Sequence, residues 1–343
     1  MLIVMPQIRF SEWATVYGGI MSLKVANGTI IVVSDMTIAK ELLDDRTSET
    51  ASRPSLYAVD VVTGNNYFTL AKSGKYILDF NSGSLEIELC KDSHIWRMGR
   101  KAIQPLLAPL AVQANLPIAE AETTQLLYDI LRDPEVQITF CMLIASMTLM
   151  SLPQEFYFHA SRTTLSFVTS VVFGKPTPRY DSPDAILFRD YMRHFSSATS
   201  PAAAPVDLVP ILKYVPERWA PWKQLWRETR RLQQSLYFSL LEYAENKDDS
   251  ESGSKTFIKT ILDRQTDFKL SREMVGYTGG LLLDAGAGTS ASFIQSLILC
   301  LIKRPATMRK AQAEIDNVIG DSRLPIHSDI QDLPYIQAMI KEV

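Results

Sequence analysis

The sequence predicts a mainly α fold with a small β region, and three stretches carry that reading. Met274 to Ile302 is a long apolar run with no proline, long enough for a deeply buried helix. Gln224 to Asn246 has the spacing of a second long helix. Ala26-Asn27-Gly28, set between short alternating apolar runs, is the one strong hairpin signal. At 343 residues, 46% hydrophobic and 21% charged, the chain has enough apolar material for a large core in one domain or two. A net charge of −3 offers no basic track for a phosphate backbone, which argues against nucleic acid as a partner.

Taken in order, Phe10 to Arg46 reads as an amphipathic helix, a hairpin and another helix, with Ser34 and Asp35 supplying capping groups for the last. Ser52-Arg53-Pro54 closes this region, and residues 1–70 are expected to form an amino-terminal helix and hairpin unit. Residues 96–343 are expected to form a helical domain. Two stretches fit neither. Residues 72–95 (KSGKYILDFNSGSLEIELCKDSHI) separate a loop from the helix that starts near Trp96. Residues 136–152 (VQITFCMLIASMTLMSL) are seventeen uncharged residues, short of the roughly 20 that span a bilayer. Removing either restores a continuous pattern, so both are expected to be inserts, translated introns outside the ancestral fold.

From Glu155 the chain becomes regular. His159 to Pro176 is an apolar helix ended by Gly174 and Pro176. Ser196 to Pro205 is a small-residue loop, and KDDSESGSK after Asn246 is solvated. Cys90, Cys141 and Cys300 form no CxxC pair, which points to a reducing compartment rather than a disulfide framework. His94, His159, His194 and His327 are scattered and propose no metal centre. The start, MLIVMPQIRFSEW, has neither a bilayer-spanning length nor a signal-peptide layout.

The most informative segment is LLLDAGAGTSASF, Leu281 to Phe293, within a helix expected over 271–302. That helix carries Gly279, Gly280, Gly286 and Gly288, and each glycine costs about 0.8–1 kcal/mol relative to alanine in a helix interior. Such glycines usually answer the close approach of another backbone or of a large flat ligand. Thr289 can then point a hydroxyl at that ligand.

This segment resembles the central helix of cytochrome P-450 monooxygenases, whose pattern is Ala/Gly-Gly-x-Asp/Glu-Thr-Thr/Ser. Ala285, Gly286, Ala287, Thr289 and Ser290 fit it, while Gly288 stands where the family has its acid. Trp96 and Arg100 in WRMGRK match the Trp-x-x-x-Arg helix. RPATMRKAQAEIDNVIG, Arg304 to Gly320, resembles the next helix of the family. DLPYIQAMIKEV, Asp332 to Val343, resembles the start of the Glu-x-x-Arg helix, with Glu342 in place. Asp284 matches an acid-Ala-Gly-x-x-Thr variant seen in fungal members.

The resemblance implies an incomplete cytochrome P-450 fold and a haem cofactor. The family's iron is held by a cysteine thiolate in a Phe-x-x-Gly-x-x-x-Cys-x-Gly loop. None of the three cysteines has that setting, so the expected reading is a chain truncated before the iron ligand. By the same resemblance Thr289 and Asp284 would serve catalysis, Thr289 by helping deliver protons and Asp284 by organising water or as an ordinary paired aspartate. Trp96 and Arg100 would meet a haem propionate, a contact suited to a guanidinium fork. Ala285 and Gly286 would keep the helix thin over the haem face. Phe195, Leu208, Ile211 and Leu212 are candidates for the substrate roof. The implied activity is oxidation of a lipophilic small molecule with dioxygen, in fungal secondary metabolism such as terpenoid or polyketide tailoring. Electrons would come from NADPH through a reductase. Complete relatives are anchored to the endoplasmic reticulum facing the cytoplasm, and here the anchor is expected to be missing. The alternative is an inactive remnant that at most binds a hydrophobic ligand or partner.

Overall fold

Pro6 opens the first helix, α1 (Pro6–Tyr17), at a position where a missing N–H leaves no helical bond unmade. The computed structural model describes residues 6–25, 28–50, 56–64, 66, 92–132, 154–200, 206, 209–248 and 256–343. The hairpin comes directly after α1. Strand β1 (Ile20–Val25) pairs antiparallel with β2 (Gly28–Val33), from Ile20 opposite Val33 to Val25 opposite Gly28. That register brings Gly28 into β2 opposite Val25, whereas an Asn-Gly turn would hold Gly28 in the loop; Ala26 and Asn27 lie outside the described residues. Asp35 then caps the short Met36–Lys40 helix: its Oδ1 accepts from the backbone N–H of Thr37 at 2.8 Å and of Ile38 at 3.1 Å.

Among the described residues, six longer helices come next. These are α2 (Asp92–Ile103), α3 (Leu116–Arg132), α4 (Gln154–Phe173), α5 (Pro183–Thr199), α6 (Pro221–Asn246) and α7 (Arg272–Lys303). After them come α8 (Pro305–Val318) and α9 (Pro334–Glu342). The expected inserts fall mostly outside the described residues, all of 136–152 and 72–91. Residues 92–95 are the first turn of α2, continuous with the segment that carries Trp96 and Arg100.

The chain divides into two compact units, Met1–Gly99 with Arg193–Arg231, and Arg100–Met192 with Leu232–Val343. In the first, Trp226 is the centre of the core with Val62, Ala198 and Val206. Its indole N–H donates to the carbonyl of Ala198 at 3.1 Å, and its ring meets Tyr57 edge-on at 5.8 Å. Phe195 and Leu212, two of the residues expected at a substrate roof, pack into this core. Ile211 is 71% exposed, and Leu208 lies outside the described residues.

In the second unit α4 packs along α7, and α3 packs along α4. The threonine hydroxyl of Thr164 on α4 donates to the carbonyl of Ala287 on α7 at 2.8 Å, locking the two helices in register. Between α3 and α4 runs a buried ionic network that sequence reasoning did not anticipate. Arg162, 1% exposed, is paired with Glu122. Ser166 donates to the same carboxylate at 2.5 Å and accepts from the backbone N–H of Thr177 at 2.8 Å. Asp129, also buried, accepts from Gln125 at 2.7 Å and from Arg179 at 3.2 Å, with His159 Nδ1 3.7 Å away. Nearer the carboxyl end, Glu314 on α8 accepts the first free N–H groups of α9, from Tyr335 at 2.8 Å and Ile336 at 2.9 Å.

Candidate functional site

The site is built on α7, and α7 is shaped by its glycines. Ser271 caps its start, accepting from the N–H of Met274 at 3.2 Å. Every residue from Val275 to Leu281 is buried. A Cβ added at Gly276 would lie 2.7 Å from the Phe238 ring, at Gly279 2.6 Å from the Phe173 ring, and at Gly280 2.2 Å from the Tyr237 ring. At Gly286 it would lie 2.9 Å from a Val168 methyl. The space these glycines leave is filled by side chains of α4 and α6. The sequence reading gave Gly286 to a flat ligand; in the structure its neighbour is Val168, and the close approach it permits is that of α4.

The other side of α7 is different. Ala285, Thr289, Ser292, Ser296 and Cys300 are spaced three and four apart, which puts them on one stripe, and Ala285, Thr289, Ser292 and Cys300 are exposed or nearly so. No side chain on that stripe is larger than threonine. Thr289 Oγ1 donates to the carbonyl of Ala285 at 2.5 Å, and Ser292 Oγ to that of Gly288 at 3.0 Å. Both hydroxyls are therefore engaged with their own helix, a bond that χ1 rotation releases.

Asp284 does not share this stripe. Its Oδ2 accepts from the hydroxyls of Tyr191 on α5 at 2.7 Å and Tyr237 on α6 at 2.6 Å. Gln233 Nε2 donates in turn to the same two phenol oxygens, at 2.9 and 3.3 Å. Tyr191, Tyr237 and Gln233 are fully buried. Of the two readings left open for Asp284, the geometry matches the paired aspartate. Gly288, four residues on, faces the same way: a Cβ there would meet only the Met192 methyl of α5, at 3.8 Å.

Of the remaining candidates, Arg100 is exposed in the last turn of α2, and the Trp96 side chain lies outside what is described. Cys300 is the free cysteine among the described residues. Among the described residues no group of His, Cys, Asp or Glu is arranged to hold a metal ion. Tyr191, Gln233 and Tyr237 were missed by sequence reasoning. The signal available was weak: a Gln and a Tyr four apart on the apolar face of α6.

The family model for cytochrome P450 matches residues 94–343. The chain belongs to the cytochrome P450 family. A cytochrome P450 monooxygenase of Armillaria gallica is 31% identical over 338 residues, which is 98% of this chain and 57% of that protein. One from Penicillium terrestre is 30% identical over 342 residues, again 57% of its length. The P450 chain thus spans a little over half the length of these curated relatives. Among solved structures, a zebrafish cytochrome P450 determined with progesterone superposes with a TM-score of 0.72 at 18% identity, over 98% of this chain and 70% of that one. This likeness establishes the fold, with its helical majority and two-stranded sheet.

The cofactor this family implies is haem. The stripe of Ala285, Thr289 and Ser292 fits the face of a flat macrocycle, because only small side chains rise from it and one of them carries a hydroxyl at its centre. Gly286 is outside that fit.

Proposed function

We propose that this P450 chain is part of a haem-dependent monooxygenase that oxidises a lipophilic small molecule in fungal secondary metabolism. One observation carries the reading: Ala285 and Thr289, the motif residues assigned to the haem side, share the exposed stripe of α7, while Gly276, Gly279, Gly280 and Gly286 face inward against α4 and α6. Several fungal relatives support it, including those of Armillaria gallica and Penicillium terrestre named as cytochrome P450 monooxygenases.

When bound, haem supplies the activation of dioxygen and the insertion of one oxygen atom into a C–H bond. The residues of this chain would hold and serve it. Ala285 and Ser292 would keep the approach to α7 open, and Arg100 with Trp96 would engage a propionate through a charge-assisted contact. Thr289 Oγ1 would leave the Ala285 carbonyl and hold a proton at the reacting side, a task for which positioned proton donors are worth about 10²–10⁴-fold in rate. Gly288 has no proton to give, so the hydroxyl works without the acid that the family places beside it. Electrons would come from NADPH through a reductase.

The experiment is to supply a haem-loaded preparation of the full-length protein with NADPH, reductase and a panel of lipophilic substrates. NADPH use, peroxide and product are measured together. Thr289→Ala is expected to divert reducing equivalents to peroxide with little change in substrate affinity. Equal coupling in the variant and the parent would remove Thr289 from the mechanism.

A further inference from the structure

We propose that Asp284 is a positioning residue: its carboxylate, gripped by Tyr191 and Tyr237, registers α5 and α6 against α7 and so acts on substrate fit rather than on proton delivery. The inference rests on the monooxygenase reading for its functional half and on geometry alone for its structural half. Three helices meet at one carboxylate oxygen, with O–H···O distances of 2.7 and 2.6 Å. Hydrogen bonds to an ionised acceptor at such lengths are among the stronger ones in proteins. Both phenols are fully buried, so water does not compete for them. Gln233 donates to each phenol oxygen, and the two phenol oxygens lie 3.1 Å apart, so the three side chains form one hydrogen-bonded cluster around the carboxylate. The two rings meet edge-on at 5.8 Å, and Tyr237 also meets Tyr277 of α7 edge-on at 5.7 Å. Gly280, one turn before Asp284, gives the Tyr237 ring the room to lie against the helix.

This arrangement disfavours a relay. A proton passing through Oδ2 would have to displace one of two buried phenols, and Thr289 lies on a different side of the helix. It favours a pin. Helices α5 and α6 are the elements that residues 200–220 connect in the chain, and that connecting stretch is the one the family resemblance gives to the substrate roof. Both helices border that stretch directly in the chain, α5 ending at Thr199 and α6 beginning at Pro221.

Two variants test the idea, Asp284→Asn and the double variant Tyr191→Phe/Tyr237→Phe. In the 343-residue chain, amide hydrogen exchange is followed over residues 183–192 and 232–246. Loss of a hydrogen bond to a charged group is expected to speed exchange there by about ten- to a hundredfold, with α3 and α4 unchanged. Unchanged exchange at those positions in both variants overturns the proposal. If the double variant does not fold, Tyr191→Phe alone serves, expected at the lower end of that range. The second readout uses the haem-loaded, full-length protein. Asp284→Asn is expected to raise KM for a lipophilic substrate several-fold while product formed per NADPH stays the same. A drop in that ratio with KM unchanged overturns the proposal in favour of a relay. An inactive parent preparation would sink the monooxygenase reading instead, and the exchange experiment would still decide whether Asp284 is the pin.

Discussion

Replacing Gly280 with alanine puts the packing of α7 to a direct test, because the structure assigns that one methyl group two opposing effects. A Cβ at residue 280 would lie 2.2, 2.3 and 2.4 Å from three carbons of the Tyr237 ring. Carbon atoms in contact prefer about 3.5–4.0 Å, so ring or helix must move by more than an ångström. Both are buried, and forced overpacking of this kind typically costs about 1–3 kcal/mol. The same movement pulls the Tyr237 hydroxyl off Asp284, now 2.6 Å away. A hydrogen bond to a charged group is worth about 1.5–3 kcal/mol. Against these losses stands the helix propensity of alanine over glycine, about 1 kcal/mol. The sum is a net destabilisation of about 1.5–5 kcal/mol. Gly288→Ala is the control, since its Cβ would meet only Met192, at the ordinary distance of 3.8 Å. There the propensity gain stands alone, and a stabilisation of about 0.8–1 kcal/mol is expected. Urea unfolding monitored by far-UV circular dichroism, with exchange over α7 to guard against more than one transition in a two-unit chain, measures both. If Gly280→Ala shifts the midpoint upward, or by the same amount as Gly288→Ala, the claim that Tyr237 occupies the place of a side chain at 280 is refuted.

Two more outcomes are expected from the ionic contacts. Arg162→Met leaves the part-buried Glu122 without its charge partner, and the cost in unfolding free energy is expected near the low end of the range for buried pairs, about 3 kcal/mol; a loss below about 1 kcal/mol would show that Ser166 suffices to hold that carboxylate. Asp329 has its pKa lowered to about 2 by hydrogen bonds from Arg323 and from the Ile326 N–H. Because the folded value lies below the unfolded one, the stabilisation is complete above about pH 4 and is lost as pH falls toward about 2. Asp329→Asn should therefore flatten the urea midpoint between about pH 5 and pH 2 relative to the parent, and parallel curves would count against the assignment.

What could be read from the sequence was what depends on neighbours along the chain. The pairing of β1 with β2, the Asp35 cap and the extent of α7 all arise from alternation, capping and apolar period, and the structure has them in the regions these rules gave. That Ala285 and Thr289 share a face is helical spacing; that the face is exposed came with the structure. What could not be read depends on which distant side chain arrives. The glycines of α7 announced a close approach, yet Phe173, Tyr237 and Phe238 come from other helices, and no local rule chooses a ring over a ligand. Asp284 kept two readings for the same reason, its partners standing 93 and 47 residues away in the sequence. Arg162 and Glu122 lie 40 residues apart, and no local rule pairs them; the packing of α3 on α4 does. Phe195 and Leu212 were apolar residues in the right neighbourhood, and Trp226 claimed them for a core.

The interlocking of α7 with side chains from its neighbours also bears on how such a chain can change over generations. Gly280 and Tyr237 form one lock, Gly276 and Phe238 another, Gly279 and Phe173 a third, and Gly286 and Val168 a fourth. At each, the helix contributes the hollow and a residue far off in the chain contributes the plug. A larger residue in the hollow is tolerated only beside a smaller plug, so the two positions must drift together and pass through an unfavourable single step on the way. Exchange of α7 alone between two members of the family would separate hollows from plugs four times over. Exchange of α4, α6 and α7 as a block would keep every pair intact, and that block is the natural unit for recombining chains of this fold.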